Sequence, residues 1–311
     1  MTHDSGVMGQ GGLQYGQQTL HLLPPKKTGK DIDLPAMTSG QFLTDLPDEY
    51  VYFKGDDPVN GYILIVNNFT EERTGTNEDV KKIKGFFQDV LGYEVYEAKD
   101  KCRDDLEHIL RKVKENIQEG FTSCNLLFVF VLSHGDQGGI KTCKTPTEHD
   151  ERYISTEELV KYFKSDQIPI MTGKPKLFFV QCCRGIKDQD GMVVADDETS
   201  TSINHQQRGI VEQSPPLLTV PVDADILISM STTPGYRSYR SPQGSWYITE
   251  LINVFQEFYQ KLPLMTMLTI LNNRISAKNA SGESISIDVA KQIPSHTTTL
   301  RKELFLLKKT R

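Results

Sequence analysis

Residues 126–132 read Leu126-Leu-Phe-Val-Phe-Val-Leu132, an unbroken run of seven apolar residues. A short apolar run without polar alternation is typical of a strand that is buried on both faces of a sheet. Segments of similar character lie at 62–66, 177–180 and 226–230. We predict that all four segments are strands and that other parts of the chain cover both faces of their sheet.

Apolar residues recur at helical spacing in four stretches, at 80–90, 106–117, 246–258 and 264–275. We expect the first helix to stop at Gly92 and the second to begin at Asp104 or Asp105. Ser155-Thr-Glu-Glu158 is a capping box and predicts a further helix, and residues 298–307 are β-prone. Because strands and helices alternate, we predict an α/β fold with a parallel or mostly parallel sheet covered on both faces.

The bulk composition is that of a globular protein of the cytosol or nucleus. The chain has 311 residues and a net charge of −6, which weighs against a nucleic-acid binder. We find neither an apolar run of membrane-spanning length nor a secretory signal, so we expect a cytoplasmic location. Five cysteines are too few and too scattered for a disulfide framework, and adjacent Cys182 and Cys183 have poor spacing for zinc. We therefore expect no metal.

Two short segments after predicted strands carry the residues suited to chemistry, Leu132-Ser-His-Gly135 and Phe179-Val-Gln-Cys-Cys-Arg-Gly185. Ligands of open α/β sheets bind beyond the carboxyl ends of the strands, so both segments should lie at one edge. There Cys183 could attack a carbonyl carbon as a thiolate, and His134 could protonate the leaving amine. The amides of Gly135 and Cys183 could bind the developing oxyanion. Taken alone, a buried Cys is more often a small core residue.

These segments resemble motifs of the caspase family. Gln181-Cys-Cys-Arg-Gly185 resembles the Gln-Ala-Cys-Arg-Gly pentapeptide of that family, and Ser133-His-Gly135 resembles its catalytic His segment, about fifty residues upstream. Further caspase-like segments follow in the family order over about residues 50–308, at 73–76, 173–180, 238–240, 244–246 and 291–294. The resemblance implies a caspase-like three-layer fold, with a central, mostly parallel six-stranded sheet flanked by helices. It also implies a cysteine endopeptidase that cleaves after Asp and uses no cofactor.

The pentapeptide departs from the family pattern at Cys182, which replaces the usual Ala. The family register makes Cys183 the nucleophile. Since consecutive residues at a strand end point to opposite sides, we expect Cys182 to face the packed interior. A role shared between the two cysteines is the minor alternative.

The resemblance also assigns the substrate-binding residues. It places Arg73, Gln181 and Arg240 around the Asp carboxylate of the substrate, which a planar guanidinium can bind through two hydrogen bonds. It gives Ser238, Tyr239 and Trp246 further substrate contacts, with Tyr239 as a wall for the residue before the Asp. Arg237 is a departure, since executioner caspases carry an aromatic residue there, and the preference at that subsite stays open.

The resemblance implies a precursor that an upstream caspase cuts between two subunits. We expect a flexible leader at 1–49, a large subunit at 50–190, an intersubunit linker at 191–222 and a small subunit at 223–311. The exposed polar stretch begins at about residue 186 and contains Asp188, Asp190, Asp196 and Asp197. Val193-Val-Ala-Asp196 is its most substrate-like part, which predicts cleavage after Asp196 or Asp197.

The resemblance implies protein substrates, a homodimer of cleaved large and small subunit pairs, and a role in apoptotic signalling. The leader is too short for a death-fold domain, which indicates a short-prodomain enzyme. The Thr-Leu-Arg-Lys sequence at 299–302 instead resembles the apical death-receptor caspases, and both interpretations stay open. A catalytically inactive homologue that regulates other caspases by dimerisation is the alternative from another class. The chain keeps the Cys, the His and the arginines that such homologues lose, which disfavours it.

Overall fold

The computed structural model describes residues 46–54, 57–145, 152–191, 219–281, 285 and 289–309. Its centre is a six-stranded sheet of β1 (Gly61–Asn67), β2 (Glu94–Lys99), β3 (Leu126–Leu132), β7 (Lys176–Gln181), β9 (Ile226–Met230) and β13 (Ser295–Thr298). The spatial order is β13-β9-β7-β3-β1-β2. All neighbours are parallel except β13, which runs antiparallel to β9. The predicted mostly parallel sheet is confirmed.

The described helices are α1 (Thr76–Lys84), α2 (Arg103–Gln118), α3 (Thr156–Lys161), α4 (Trp246–Phe258) and α5 (Leu264–Ser276), with short 3₁₀ turns at Asp48–Tyr50 and Pro169–Met171. Three small antiparallel sheets lie outside the central one. The first has the order β4 (Gly135–Asp136), β5 (Gly139–Lys141) and β6 (Tyr153–Ile154). The other two pair β10 (Arg240–Ser241) with β11 (Gly244–Ser245), and β8 (Gln189–Asp190) with β12 (Ala290–Lys291). Within the described ranges, no helix combines the length and the apolar character needed to cross a bilayer.

Alternate residues of each central strand pack into two different apolar layers. Phe128 of β3 lies in the core that α1, α4 and α5 cover, with its ring centroid 4.7 Å from that of Phe87. The next residue, Val129, lies in the opposite core, which includes Leu110 of α2. Because both faces of β3 are covered, the whole strand is buried. The protein thus has three layers, as the resemblance implies.

Two helix and strand boundaries differ from the sequence prediction, whereas the predicted stop of the first helix at Gly92 is confirmed. That helix is an α-helix to Lys84 and a π-helix over Gly85–Val90, and Gly92 follows it with a φ of 76°. Helix α2 begins after Cys102, whose side chain makes no capping hydrogen bond, so the predicted start at Asp104 or Asp105 is wrong by one or two residues. Those carboxylates lie in the first turn, where they favour the helix dipole.

The last strand lies earlier in the chain than its β-prone residues indicated. β13 is Ser295–Thr298, and the chain beyond it makes an isolated bridge between Glu303 and Val51. The capping box is confirmed, since the Ser155 side chain accepts from the Glu158 amide and the Glu158 side chain accepts from the Ser155 amide.

Candidate active site

Strands β3 and β7 end at the same level and deliver the predicted His and Cys side by side. Leu132 pairs with Gln181, and the Ser133 amide donates to the Gln181 carbonyl at 3.1 Å. His134 and Cys183 therefore follow two directly paired residues, Leu132 and Gln181, at the same distance of two positions along each chain segment. This placement follows from the register of two parallel strands.

Gly135 shows how closely the two segments approach. A Cβ atom built on Gly135 would lie 2.7 Å from the Cys183 carbonyl oxygen and 3.0 Å from the Cys182 Cβ. Such contacts are too short for any side chain, so the turn after His134 requires glycine. The backbones of Gly135 and Cys183, the two predicted oxyanion residues, thus lie against each other.

The half-buried Cys183 thiol faces the backbone of Ser238, in the segment that follows β9. The Ser238 amide donates to Sγ at 3.5 Å, and the thiol lies 3.9 Å from the Ser238 carbonyl oxygen. An N–H donor stabilises a negatively charged sulfur once the thiol has lost its proton. The structure therefore places Cys183 where a thiolate has a hydrogen-bond donor and access to solvent.

Two residues that sequence reasoning missed contact the His134 ring. The Phe69 ring meets it edge-on with centroids 5.0 Å apart, and the Glu72 carboxylate lies 3.7 Å from Nε2. Both belong to the loop that follows β1, the neighbour of β3, so they share the carboxyl edge of the sheet. Their only sequence signal is that position. His134 remains 46% exposed, which leaves its ring accessible to a substrate.

Cys182 faces the interior, as expected from its position next to Cys183. It is buried in the apolar layer that contains Ile140, Ile154 and Met230. Burial raises the pKa of the Cys182 thiol to about 12, so this thiol stays protonated at neutral pH. A thiol in that state is a poor nucleophile.

Two arginines lie together near the thiol, Arg73 buried and Arg240 half-buried. Arg73 is 2% exposed, and its Nη1 donates to Asn68 O at 3.3 Å and to Thr76 Oγ1 at 2.8 Å. Arg73 Nη2 and Arg240 Nη1 are buried and have no hydrogen-bond partner in the part of the chain that the structure describes. Burial and the repulsion of Arg240 lower the pKa of Arg73 to about 9. Buried cationic donors without an acceptor favour an anionic ligand.

Asp79 of α1 is a negatively charged residue close to both arginines, and sequence reasoning missed it. Its Oδ1 accepts from the Ser245 amide at 2.9 Å, while Oδ2 is buried without a hydrogen bond to any described residue. Burial raises the pKa of Asp79 to about 6, and the attraction of Arg240 opposes that shift. The available signal was its position four residues before Ile83, on the apolar face of an amphipathic helix.

Replacing Asp79 with Asn should make unfolding less dependent on pH. An unfolded Asp has a pKa of about 3.9, so the raised folded value means that the folded state binds the proton more tightly. The stability this supplies is present below about pH 4 and is lost as pH rises through about 6. Between pH 5 and 7.5, the parent should lose about 1 kcal/mol of unfolding free energy relative to Asp79→Asn.

Urea denaturation of both proteins, each in a Cys183→Ala background that prevents self-cleavage, measures this difference. The cations Arg73, Arg240 and Lys82 face Asp79 and are present in both proteins. The comparison therefore isolates the change at Asp79. A stability difference that is the same at pH 5 and 7.5 contradicts the shift.

The remaining predicted substrate residues line the same region. The Gln181 side chain donates from Nε2 to Ser238 Oγ at 3.0 Å. The Tyr239 and Trp246 rings are buried against each other, with centroids 5.3 Å apart. The structure therefore brings every predicted catalytic and substrate-binding residue to the Cys183 end of the sheet or to the small apolar cluster beside it. Asp196 and Asp197 lie outside the described residues.

The expectation of an exposed polar stretch from about residue 186 is wrong for its first residues. Lys187 forms an isolated bridge with Tyr236, and Gln189–Asp190 forms β8. The Asp188 side chain is only 1% exposed and accepts from Tyr239 Oη at 2.8 Å. These partners lie about fifty residues further along the chain, so the local polar composition concealed the burial of Asp188.

A cavity of about 530 Å³ adjoins the thiol and has room for a polypeptide segment. Its lining residues include Asp136, Gly138, Glu157, Cys183 and Arg184. Among the described residues, no group of three or more His, Cys, Asp or Glu side chains is arranged to hold a metal ion. The arrangement is suited to a thiolate that attacks a carbonyl group of a bound polypeptide, and the arginines are suited to a negatively charged side chain of that polypeptide.

Comparison with known proteins gives the family. The model of the Caspase domain matches residues 60–305. Caspase-3 of Oryctolagus cuniculus is 30% identical over 282 residues, which cover 87% of this chain and 90% of the relative. Caspase-7 of Gallus gallus is 29% identical over 292 residues, with coverage of 90% and 87%. Caspase-1 of Drosophila melanogaster is 34% identical over 244 residues, with coverage of 75% and 67%.

The fold agrees with that of a solved relative. The structure of caspase-1 from Spodoptera frugiperda superposes with a TM-score of 0.68 at 24% identity, and the match covers 85% of this chain and 96% of that chain. The family match spans most of the described core, including both strands that carry the His and the Cys. The chain belongs to the caspase family and is a caspase-type cysteine endopeptidase.

Proposed function

We propose that this enzyme cleaves polypeptides after Asp, with Cys183 as nucleophile and His134 as general acid and base. The observation that carries the proposal is the pair of arginines near the thiol, Arg73 and Arg240, each with a buried donor that lacks an acceptor among the described residues. A substrate carboxylate would supply that acceptor. A neutral amide in the same place would leave buried charge unpaired, which binding sites of this kind penalise strongly.

The reaction uses two steps that share one proton carrier. The Cys183 thiolate attacks the backbone carbonyl carbon of the substrate Asp, and the oxyanion accepts hydrogen bonds from the Gly135 and Cys183 amides. His134 then donates a proton to the leaving amine, the C–N bond breaks and a thioester remains. In the second step His134 takes a proton from water, the hydroxide attacks the thioester, and the carboxylic acid and the thiolate are released.

Substrate recognition rests on the residues around the thiol. Arg73, Gln181 and Arg240 bind the Asp carboxylate, and guanidinium forks can do so through paired hydrogen bonds. Tyr239 forms a wall for the residue before the Asp, and Ser238 offers backbone contacts. Trp246, packed against Tyr239, lines the more distant part of the site.

The enzyme is a precursor that an upstream caspase activates in the cytoplasm during apoptotic signalling. The leader is 1–49, the large subunit 50–190, the linker 191–222 and the small subunit 223–311. Cleavage falls after Asp196 or Asp197, and two cleaved pairs form the homodimer. The sheet supports this division, because β7 and β9 belong to different subunits and still pair with each other.

Tetrapeptide reporters test the proposal directly. Linker-cleaved protein should turn over Asp-ending reporters with a kcat/KM at least about 10³-fold above that of matched Asn-ending reporters, since an unpaired buried charge costs several kcal/mol. Intact-mass analysis of the same preparation should find a large chain ending at Asp196 or Asp197. Absence of Asp-dependent turnover would refute the specificity, and large chains ending elsewhere would refute the cleavage site.

A further inference from the structure

Asp188 lies five residues after Cys183 and is buried although it is charged. Its Oδ1 accepts from Tyr239 Oη at 2.8 Å and lies 3.6 Å from Arg237 Nη1. Its side chain is 1% exposed, whereas that of Arg237 is 35% exposed. A buried carboxylate is stable only when it is paired and hydrogen-bonded. Tyr239 and Arg237 thus supply this buried carboxylate with a hydrogen bond and an opposite charge.

A backbone ladder holds the two segments that contribute these side chains. The Arg184 amide donates to Tyr236 O at 3.0 Å, and the Arg237 amide donates to Lys187 O at 3.0 Å. The approach is so close that a Cβ atom on Gly185 would lie 2.2 Å from Gly235 O. The chain that leaves the nucleophile and the chain that enters the substrate segment thus move together, with Asp188 at the end of the ladder.

Tyr239 connects this ladder to the rest of the site. Its amide donates to Gln292 Oε1 at 2.8 Å, and its ring packs on Trp246. Its chain neighbours are Ser238, whose amide contacts the Cys183 thiol, and Arg240 of the cation pair. A shift of the Tyr239 ring would therefore alter the surface next to both the thiol and the arginines.

We propose that Asp188 is a positioning residue for substrate recognition: it fixes Tyr239 through the hydroxyl and directs the charge of Arg237 away from the substrate. The inference rests on the proposed function, since it takes Tyr239 as the wall for the residue before the Asp. The resemblance places Arg237 at that same subsite. Asp188 offsets the positive charge of Arg237 there, so the subsite accepts a neutral side chain in preference to an acidic one.

The test compares Asp188→Asn with Asp190→Asn, an exposed acid two residues further along the chain. Two Asp-ending reporters differ only in the preceding residue, Val or Glu. Asp188→Asn should lower kcat/KM for the Val reporter about tenfold, chiefly through KM, because the substrate surface loses its fixed geometry. The ratio of Glu to Val turnover should rise about fivefold, since the Asp188 carboxylate no longer offsets the positive charge of Arg237. Asp190→Asn should leave both values within about twofold, a typical surface effect.

Two combined variants separate positioning from general damage. Asp188→Asn with Tyr239→Phe should lower kcat/KM no further than Asp188→Asn alone, because both changes remove the same charge-assisted hydrogen bond. Asp188→Asn with Arg237→Gln should remove the gain for the Glu reporter. If Asp188→Asn fails to fold, Tyr239→Phe alone should still raise KM severalfold.

Each outcome has a separate meaning. If the parent shows no Asp-dependent turnover, the proposed function fails and the inference fails with it. If the parent cleaves after Asp while Asp188→Asn keeps the parental KM and Glu-to-Val ratio, only the inference is overturned. In the absence of folded Asp188→Asn, an unchanged KM in Tyr239→Phe overturns it in the same way.

Discussion

Replacing Cys183 with Ala should lower kcat/KM for an Asp-ending reporter by at least about 10⁴-fold, because the covalent route disappears with the nucleophile. The loss should fall on kcat, since the arginines and Tyr239 that bind the substrate are untouched. Single-turnover kinetics on linker-cleaved protein measures it. KM, or the dissociation constant of an Asp-ending inhibitor, should change by less than about tenfold, as expected when a group acts only in the transition state.

Cys182→Ala is the matched control, since it removes the same atom one residue earlier. Cys182 is buried and protonated, so its loss should leave kcat/KM within about threefold of the parent. The small cavity left behind should lower the free energy of unfolding by about 1 kcal/mol, as is common for small core truncations. If Cys182→Ala abolishes cleavage while Cys183→Ala retains it, the register taken from the pentapeptide is wrong.

Replacing Arg240 with Gln should reduce the kcat/KM ratio of Asp-ending to Asn-ending reporters by about 10²-fold to 10³-fold. A buried hydrogen-bonded charge pair typically loses about 2–5 kcal/mol when one partner is truncated. The turnover of the Asn reporter should change little, because it makes no charge pair with Arg240. Arg240→Lys should recover only part of the ratio, since an ammonium group does not reproduce the planar fork.

The same variant should separate activity from stability. Burial lowers the pKa of Arg240, which means that the folded protein disfavours its charge. Arg240→Gln should therefore lower the free energy of unfolding by no more than about 1 kcal/mol, despite its effect on specificity. Urea denaturation checks this, with the exposed Arg111→Gln on α2 as a surface control. An unchanged Asp-to-Asn ratio in Arg240→Gln contradicts the assignment of this arginine to the carboxylate.

The central sheet could be predicted because its sequence signal is local. Strand β3 is buried at all seven positions, and a continuous apolar run is what such burial requires. The position of β13 could not be found in this way, because an edge strand has few buried side chains and its polar sequence resembles a loop. Its pairing with β9 comes from the fold as a whole.

Two of the missed residues near the site, Asp79 and Asp188, are charged residues whose burial depends on distant partners. Asp79 accepts a hydrogen bond from Ser245, 166 positions away, and Asp188 from Tyr239, 51 positions away. Each Asp on its own is typical of a solvated surface. Only the three-dimensional proximity of the partner makes burial of the charge possible, so the place of Asp79 on the apolar face of its helix was a weak signal, and Asp188 had none.

The pairing of β7 with β9 determines what a backbone cut between them would do to the molecule. The two strands pair at five positions in the middle of the sheet, from Lys176 with Ile226 to Val180 with Met230. After a cut within 192–218, the two fragments would stay interlocked, and neither could depart without exposing the apolar cores on both sides. Reassembly, however, would become a two-body event that weakens with dilution. At low protein concentration, a cut molecule that unfolds would therefore rarely refold. Proteolysis would thus make unfolding effectively irreversible at the same time as it changes the activity of the protein.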